Sequence, residues 1–86
     1  MASYKIFFKR SAEKELRKID KSQIRVILSA IDNLAEDPFP PSSRKLVGSQ
    51  HTYRLRVGDY RVVYLVDGEL IEIQIQRIKH RKDVYR

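Results

Sequence analysis

The sequence holds no cysteine and no tryptophan, a single methionine, and only three glycines and three prolines. Without cysteine there is no disulfide and no thiolate metal site, which fits a reducing compartment. No apolar run approaches the ~18 residues that a membrane-crossing helix needs. The opening stretch MASYKIFFKR is too short and too charged for a secretory signal. A cytoplasmic protein with no membrane partner is therefore expected. Gly48, Gly58 and Gly68 stand apart from one another, so a glycine-rich phosphate loop is missing. The two histidines, His51 and His80, lie far apart and no carboxylates cluster, which is poor spacing for metal ligands. Neither a metal nor a cofactor is expected.

What is present fits one small domain over residues 1–86. A chain this short buries only roughly 60–65% of the surface its unfolded form exposes, so each apolar stripe matters. Hydrophobic residues make up 42% and charged residues 34%, a globular rather than a disordered balance. Eighteen Lys and Arg against eleven Asp and Glu give a net charge of +7, and the field of such a protein attracts polyanions. The excess is uneven: residues 1–43 carry eight basic and six acidic side chains, residues 44–86 ten and five. The polyanion site is expected in the second half.

Tyr4–Phe8 reads as a strand of β-branched and aromatic residues. Ser11 is placed to cap a helix over Ala12–Ile19, with Glu13 in its first turn. Asp20 and Gln23 resemble a capping box opening a second helix. There Ile24, Ile27, Leu28, Ile31, Leu34 and Ala35 form one stripe at i, i+3, i+4, i+7 spacing, and Leu16 and Ile19 extend it to the first helix. The pair reads as a helical hairpin whose apolar residues are core. Residues 37–43 (DPFPPSS) then form a stiff loop, because proline removes donors and restricts its predecessor.

From Thr52 the pattern switches to period two, giving strands over Thr52–Val57, Tyr60–Val66 and Glu69–Ile78. Gly58-Asp59 and Asp67-Gly68 read as two-residue hairpin turns. The fold class is α+β: one strand, a two-helix hairpin, then an antiparallel meander with the helices on one sheet face. Two-residue turns at these places pair residues whose numbers sum to 117 in the first hairpin and 135 in the second. One face then collects Tyr53, Leu55, Val57, Tyr60, Val62, Tyr64, Ile71, Ile73 and Ile75 and belongs under the helices. The other collects Arg54, Arg56, Arg61, Val63, Glu72, Gln74 and Gln76.

On that second face Arg56 sits across from Arg61, with Arg54 two residues along. Like charges directly opposite on a sheet cost roughly 0.2–1 kcal/mol. Glu72, expected opposite Val63, neutralises only part of the cluster. A solvated polar face is one reading. An anion site is the other, since a bound phosphate turns repulsion into attraction through bidentate guanidinium contacts. The closing segment, residues 77–86 (RIKHRKDVYR), reads either as a solvated basic tail or as a lid over the arginine face, with Tyr85 a stacking platform for a base.

Four segments in this order resemble the RelE/ParE superfamily of bacterial and archaeal toxins: Asp37-Pro38 leading to Lys45-Leu46; Tyr53-Arg54-Leu55-Arg56; Tyr60-Arg61-Val62-Val63-Tyr64; and His80-Arg81-Lys82-Asp83-Val84-Tyr85. The resemblance covers nearly the whole chain. It implies the RelE-like microbial RNase fold and, for the RelE branch, an mRNA endonuclease that works without a metal in the ribosomal A site. There the ribose 2′-hydroxyl attacks the adjacent phosphate to leave a 2′,3′-cyclic phosphate. It implies catalytic positions at Arg54, Arg56, Arg61, Arg81 and Tyr85. Arg61 is expected to stabilise the phosphorane, Arg54 and Arg56 to orient the phosphate, Tyr85 to stack on a base, and Arg81 to aid the leaving oxygen. Arg44, Lys45, Gln74, Gln76, Lys79 and Lys82 complete the expected RNA-binding set. The implied partners are an acidic RelB-like antitoxin, in a hetero-oligomer with a toxin that is monomeric alone, and the ribosome with its mRNA.

Two departures from the RelE pattern stand out. Arginines occupy Arg54 and Arg56 where that pattern has lysines, and arginine is a poor general base. His80 is the candidate proton acceptor, because imidazole titrates near neutral pH, and a surface histidine is the competing reading; His51 reads as a loop residue. The second departure is at the end of the sequence given: no extra C-terminal helix is expected before Arg86, and Tyr85 lies one residue from that end. Two other functions remain open: a ParE-like toxin that poisons gyrase without RNA chemistry, and a degenerate homologue that only binds RNA or antitoxin.

Overall fold

A computed structural model describes residues 3–84. In chain order the elements are β1 (Lys5–Phe8), α1 (Arg10–Arg17), α2 (Lys21–Asn33), β2 (Ser43–Lys45), β3 (Thr52–Val57), β4 (Tyr60–Asp67), β5 (Glu72–His80) and a single-turn α3 (Arg81–Val84). The sheet runs β1-β5-β4-β3-β2. β1 pairs parallel to β5, and the other pairings are antiparallel. The expected strand, helical hairpin and meander are all there; β2 and α3 were not expected.

The helices cover one face because their apolar stripe needs it. Ala12, Ile27, Ile31 and Leu34 are fully buried against Leu55, Val57, Val62, Tyr64, Val66, Ile73, Ile75 and Ile78. Burying each Ile or Leu contributes about 1.5–3 kcal/mol. Leu16 and Ile19 pack at the margin of this core. The caps differ from expectation. Lys9, not Ser11, occupies the N-cap of α1, which begins earlier than its apolar stripe, and Asp20 caps α2 without a side-chain bond to its backbone. Instead the Asp20 carboxylate accepts the Ser22 hydroxyl at 2.9 Å.

The first hairpin pairs as its turn requires. Thr52 faces Leu65 and Arg56 faces Arg61, so every pair sums to 117. Gly58 takes φ +57 there, a conformation glycine adopts at no steric cost. The second hairpin does not follow the two-residue expectation. Asp67 pairs with Glu72, leaving residues 68–71 as a four-residue loop. The Asp67 carboxylate accepts the amides of Glu69 and Leu70, each at 3.0 Å, an Asx-type turn that displaces the two-residue one. The left-handed residue is Ile71, φ +56, rather than Gly68.

A second irregularity follows. Tyr64 pairs with Ile75 but Val63 pairs with Arg77, so Gln76 is the extra residue of a β-bulge. The bulge breaks the period-two reading of β5: Ile73 and Ile75 are buried, and so is Ile78. α1 braces this kink. The Ser11 hydroxyl donates to the Gln76 carbonyl at 2.8 Å, and the Ile78 amide donates to Glu15 Oε1 at 2.9 Å. The Arg77 guanidinium grips the same carboxylate at 3.1 and 2.9 Å. Partial burial pushes the Glu15 carboxyl up, but the Arg77 and Ile78 hydrogen bonds and the Arg77 and Lys79 charges outweigh it and hold Glu15 below its ordinary value.

Candidate nucleic-acid interface

The sheet face that the helices leave uncovered is where the cations gather. Arg56 faces Arg61 across β3 and β4, and Arg61 in turn faces Lys79 across β4 and β5. One row across three strands therefore carries three positive side chains. A second row lies two residues along β3, where Arg54 faces Arg44 of β2 on one side and Val63 on the other. Each opposed like-charge pair costs roughly 0.2–1 kcal/mol. Glu72, expected near Arg61, pairs with Asp67 at the opposite end of the sheet because of the four-residue loop. The expected neutralising partner is thus absent from the cluster, and Lys79 takes a place there instead.

Arg44, Arg54, Arg56 and Arg61, with Pro41 and Ser42, line an open pocket of about 360 Å³. Its proline wall is held rigidly. The buried Tyr64 hydroxyl donates to the Pro38 carbonyl at 2.7 Å, and the Ser43 hydroxyl donates to the Pro40 carbonyl at 2.7 Å. The Arg56 amide donates to the Ser42 carbonyl at 3.0 Å. Burial pushes the Tyr64 phenol above its ordinary value, so its proton stays in this bond well into the alkaline range. Sequence reasoning missed Pro41 and Ser42 as pocket residues. The signal was the Asp37–Ser43 loop itself, whose stiffness makes it a wall.

Arg61 is oriented by its own turn. Its Nη1 donates to the carbonyls of Gly58 at 3.0 Å and Tyr60 at 2.9 Å. Such anchoring removes rotamer freedom before any ligand arrives. Arg81 begins α3 beside the same turn: its amide donates to the Asp59 carbonyl at 2.7 Å, and its Nε lies 3.7 Å from the Asp59 carboxylate. The segment expected to be either tail or lid is thus pinned through Arg81 to the β3–β4 turn.

Not every expected residue joins the cluster. His80 pairs with Tyr60, one step past Lys79, so alternation sets it on the helix side of the sheet. Its ring meets the Tyr60 ring edge-on at 5.4 Å, and its Nδ1 accepts the Lys82 amide at 3.3 Å. That position is away from the arginine pocket. Lys45 pairs with Tyr53, whose ring stacks on buried Tyr64, and so lies on the helix side as well. Gln74 pairs with Leu65 and Phe7 at the far end of the open face. Gln76 sits at the bulge and donates to Gln74 at 3.4 Å. Lys82 is exposed on α3, and His51 lies in the exposed loop before β3. Tyr85 lies outside the described residues. Among the described residues, no three His, Asp or Glu side chains gather as a metal site, and no helix is long and apolar enough to cross a membrane.

Comparison with known proteins adds three findings. A family model described as the ParE toxin of the type II toxin–antitoxin system parDE matches residues 6–85. Toxin RelG of Mycobacterium tuberculosis is 31% identical over 87 aligned residues, which span 96% of this chain and 97% of that protein. Two solved structures share the fold. One is from the archaeal RelE–RelB complex of Pyrococcus horikoshii, 32% identical, covering 92% of this chain and 96% of its own, with a TM-score of 0.82. The other is the isolated E. coli RelE toxin, 25% identical, covering 96% of this chain and 92% of its own, with a TM-score of 0.81.

Proposed function

We propose that this chain, which belongs to the RelE/ParE superfamily of type II toxin–antitoxin toxins, is an endoribonuclease that cuts mRNA in the ribosomal A site. One observation carries the reading: three cations stand in a row across β3, β4 and β5, and among the described residues the ladder sets no carboxylate opposite Arg56 or Arg61, the Glu15 charge acting on Lys79 alone at the β5 end. A fold under selection for stability alone gains nothing from that repulsion, whereas a phosphorane, which gains negative charge at its oxygens, reverses it.

In this reading the 2′-hydroxyl attacks the adjacent phosphorus and its proton passes to a base. The 5′-oxygen leaves, and a 2′,3′-cyclic phosphate remains. Arg61, held by its turn carbonyls, stabilises the extra charge. Arg56 and Arg54 orient the phosphate through bidentate contacts. Lys79 adds a positive charge beside Arg61, a larger part than the RNA-binding role its sequence position implies. Arg81 lies beside the turn that fixes Arg61 and serves the leaving oxygen, while Tyr85 stacks on a base. His80 is poorly sited to take the proton, because its ring lies toward Tyr60 on the other side of the sheet.

The same reading assigns an acidic antitoxin as partner, by analogy with the RelE–RelB complex of Pyrococcus horikoshii, and the ribosome as the scaffold that shapes the substrate. Attraction to both falls steeply with salt.

The test is primer extension on mRNA under translation, with the wild type and Arg61→Ala. Cuts within the A-site codon are expected, unaffected by chelators beyond their effect on ribosomes. Loss of one preorganised donor to the transition state lowers the rate about 10²–10³-fold, so Arg61→Ala should nearly abolish them. The rival reading, a gyrase poison, draws on the description of the matching family model. Stalled gyrase complexes with uncut mRNA would establish it and remove the nuclease.

A further inference from the structure

The cations of the pocket come in two opposed pairs rather than one cluster. Arg56 faces Arg61, and Arg44 faces Arg54. Arg54 and Arg56 share the open face, with the buried Leu55 between them turned to the core. Two residues along a strand span about 6.6–6.8 Å and neighbouring strands lie about 4.8 Å apart, so the pair centres, one in the β4–β3 gap and one in the β3–β2 gap, are roughly 8 Å apart. Consecutive phosphates of an extended single strand are spaced slightly more closely, a difference that long arginine side chains span. The two phosphorus atoms of a pyrophosphate share one bridging oxygen and lie too close together to fill both places.

β2 is built around this arrangement. It has only three residues, and Ser43 and Lys45 pair with Leu55 and Tyr53, the core-side residues of β3. Arg44 is therefore the one side chain that β2 gives to the open face. The strand is fixed at both ends: the Ser43 amide and hydroxyl both donate to the Pro40 carbonyl, and the Leu46 amide donates to the Thr52 carbonyl. An arginine on such a strand loses less backbone entropy on binding than one on a loose loop.

We propose that the pocket holds two consecutive phosphates of single-stranded RNA, one between Arg56 and Arg61 and its neighbour between Arg44 and Arg54. Arg44 is then a positioning residue that fixes the strand's register, so that the phosphate to be cut falls in the Arg56–Arg61 pair. This rests on the nuclease reading only for which phosphate is cut. The site itself is tested by binding, without ribosomes or cleavage.

The probe is a fluorescent RNA hexamer with 2′-O-methyl riboses throughout, in which each linkage in turn is a neutral methylphosphonate. Anisotropy titrations at low salt use the wild type and Arg44→Gln. In the wild type, two adjacent linkages should each weaken binding roughly tenfold when neutralised, as a charge-assisted contact is lost. In Arg44→Gln one of the two should cease to matter while the other keeps its effect. The slope of log K against log salt should become shallower by about 0.7, the value for one phosphate contact on a single strand. A single sensitive linkage in the wild type, two non-adjacent ones, both sensitivities intact in Arg44→Gln, or no measurable wild-type binding would each overturn the proposal. None of these outcomes bears on whether mRNA is cut on the ribosome.

Discussion

The two hairpins of the meander share β4 and yet are built on different terms. β3–β4 closes on a two-residue turn with a left-handed glycine, and its pairing runs without interruption from turn to end. β4–β5 closes on four residues and then slips by one at Gln76. The first hairpin places Arg54, Arg56 and Arg61 by regular alternation. The second places Lys79 beside Arg61 only because the bulge intervenes. A tight turn thus makes a cationic face readable from spacing, whereas a wide loop and a bulge position a residue that spacing alone assigns to the wrong side.

The bulge gives the largest effect by which this contrast can be broken. A regular period-two strand would turn Arg77 inward and Ile78 outward; the bulged strand buries Ile78 to 2% exposure. Ile78→Ala should therefore cost about 2–5 kcal/mol, the range for truncating a buried isoleucine. Arg77→Ala should cost less, since its side chain is nearly half exposed and such pairs contribute about 1 kcal/mol or below. Urea denaturation of both variants decides the matter. An Ile78→Ala change as mild as a surface substitution would mean that β5 is not bulged as described.

Next in size is the effect on the proposed cleavage. Lys79→Ala should lower the rate in the translation assay roughly 10–100-fold, as a charged contact worth about 1.5–3 kcal/mol disappears. Lys79→Arg should restore most of it. Stability should change by no more than about 1 kcal/mol, because the repulsion between Lys79 and Arg61 offsets the attraction between Lys79 and Glu15. Unchanged cleavage in Lys79→Ala would confine the active face to the first hairpin.

This division explains what the sequence made legible. The helical stripe, the first hairpin and the arginine face follow from local periodicity and a turn whose chemistry admits one register. Arg44 belongs to the expected RNA-binding set, and the pairing of β2 explains how it reaches the pocket. β2 was hidden because three residues are too few for a periodic signal. The second register failed because the Asp67 carboxylate makes its own turn, a competition between side chain and backbone that the dipeptide Asp67-Gly68 does not reveal. His80 was credited for its chemistry, yet its placement depends on a bulge that no local pattern announces. What braces the bulge, Ser11 and Glu15, lies about sixty residues earlier in the chain.

Glu15 offers a smaller, pH-dependent test of that brace. Its carboxyl sits below the ordinary value of 4.5 in the folded protein, so the folded state holds its proton less tightly than the unfolded state does. The resulting stabilisation is complete above about pH 4.5 and fades as acid carries the pH down through the lowered value. Glu15→Gln should cost on the order of 1 kcal/mol at neutral pH. The gap between variant and wild type should then close as the pH falls below 4.5. A gap of constant size would show that the ionised carboxylate is not what holds the bulge.

The smallest effect separates the two turns themselves. Gly58 takes φ +57, whereas Gly68 is not in the left-handed region, and a methyl group at either would meet no atom within 4 Å. Sterics with neighbours are thus equal, and only backbone conformation differs. Gly58→Ala should destabilise by about 1 kcal/mol, the cost of a left-handed L-residue. Gly68→Ala should instead stabilise by about 0.4–1 kcal/mol, by removing freedom from the unfolded chain. For a domain of this size each kilocalorie moves the melting midpoint by roughly 4–8 °C, so the two alanines should shift it in opposite directions. Gly58→Ala should also slow cleavage, because the Gly58 carbonyl is one of the two that hold Arg61; Gly68→Ala, at the far end of β4, should leave the rate alone. Equal shifts of one sign would place both hairpins on the same kind of turn and remove the distinction between them.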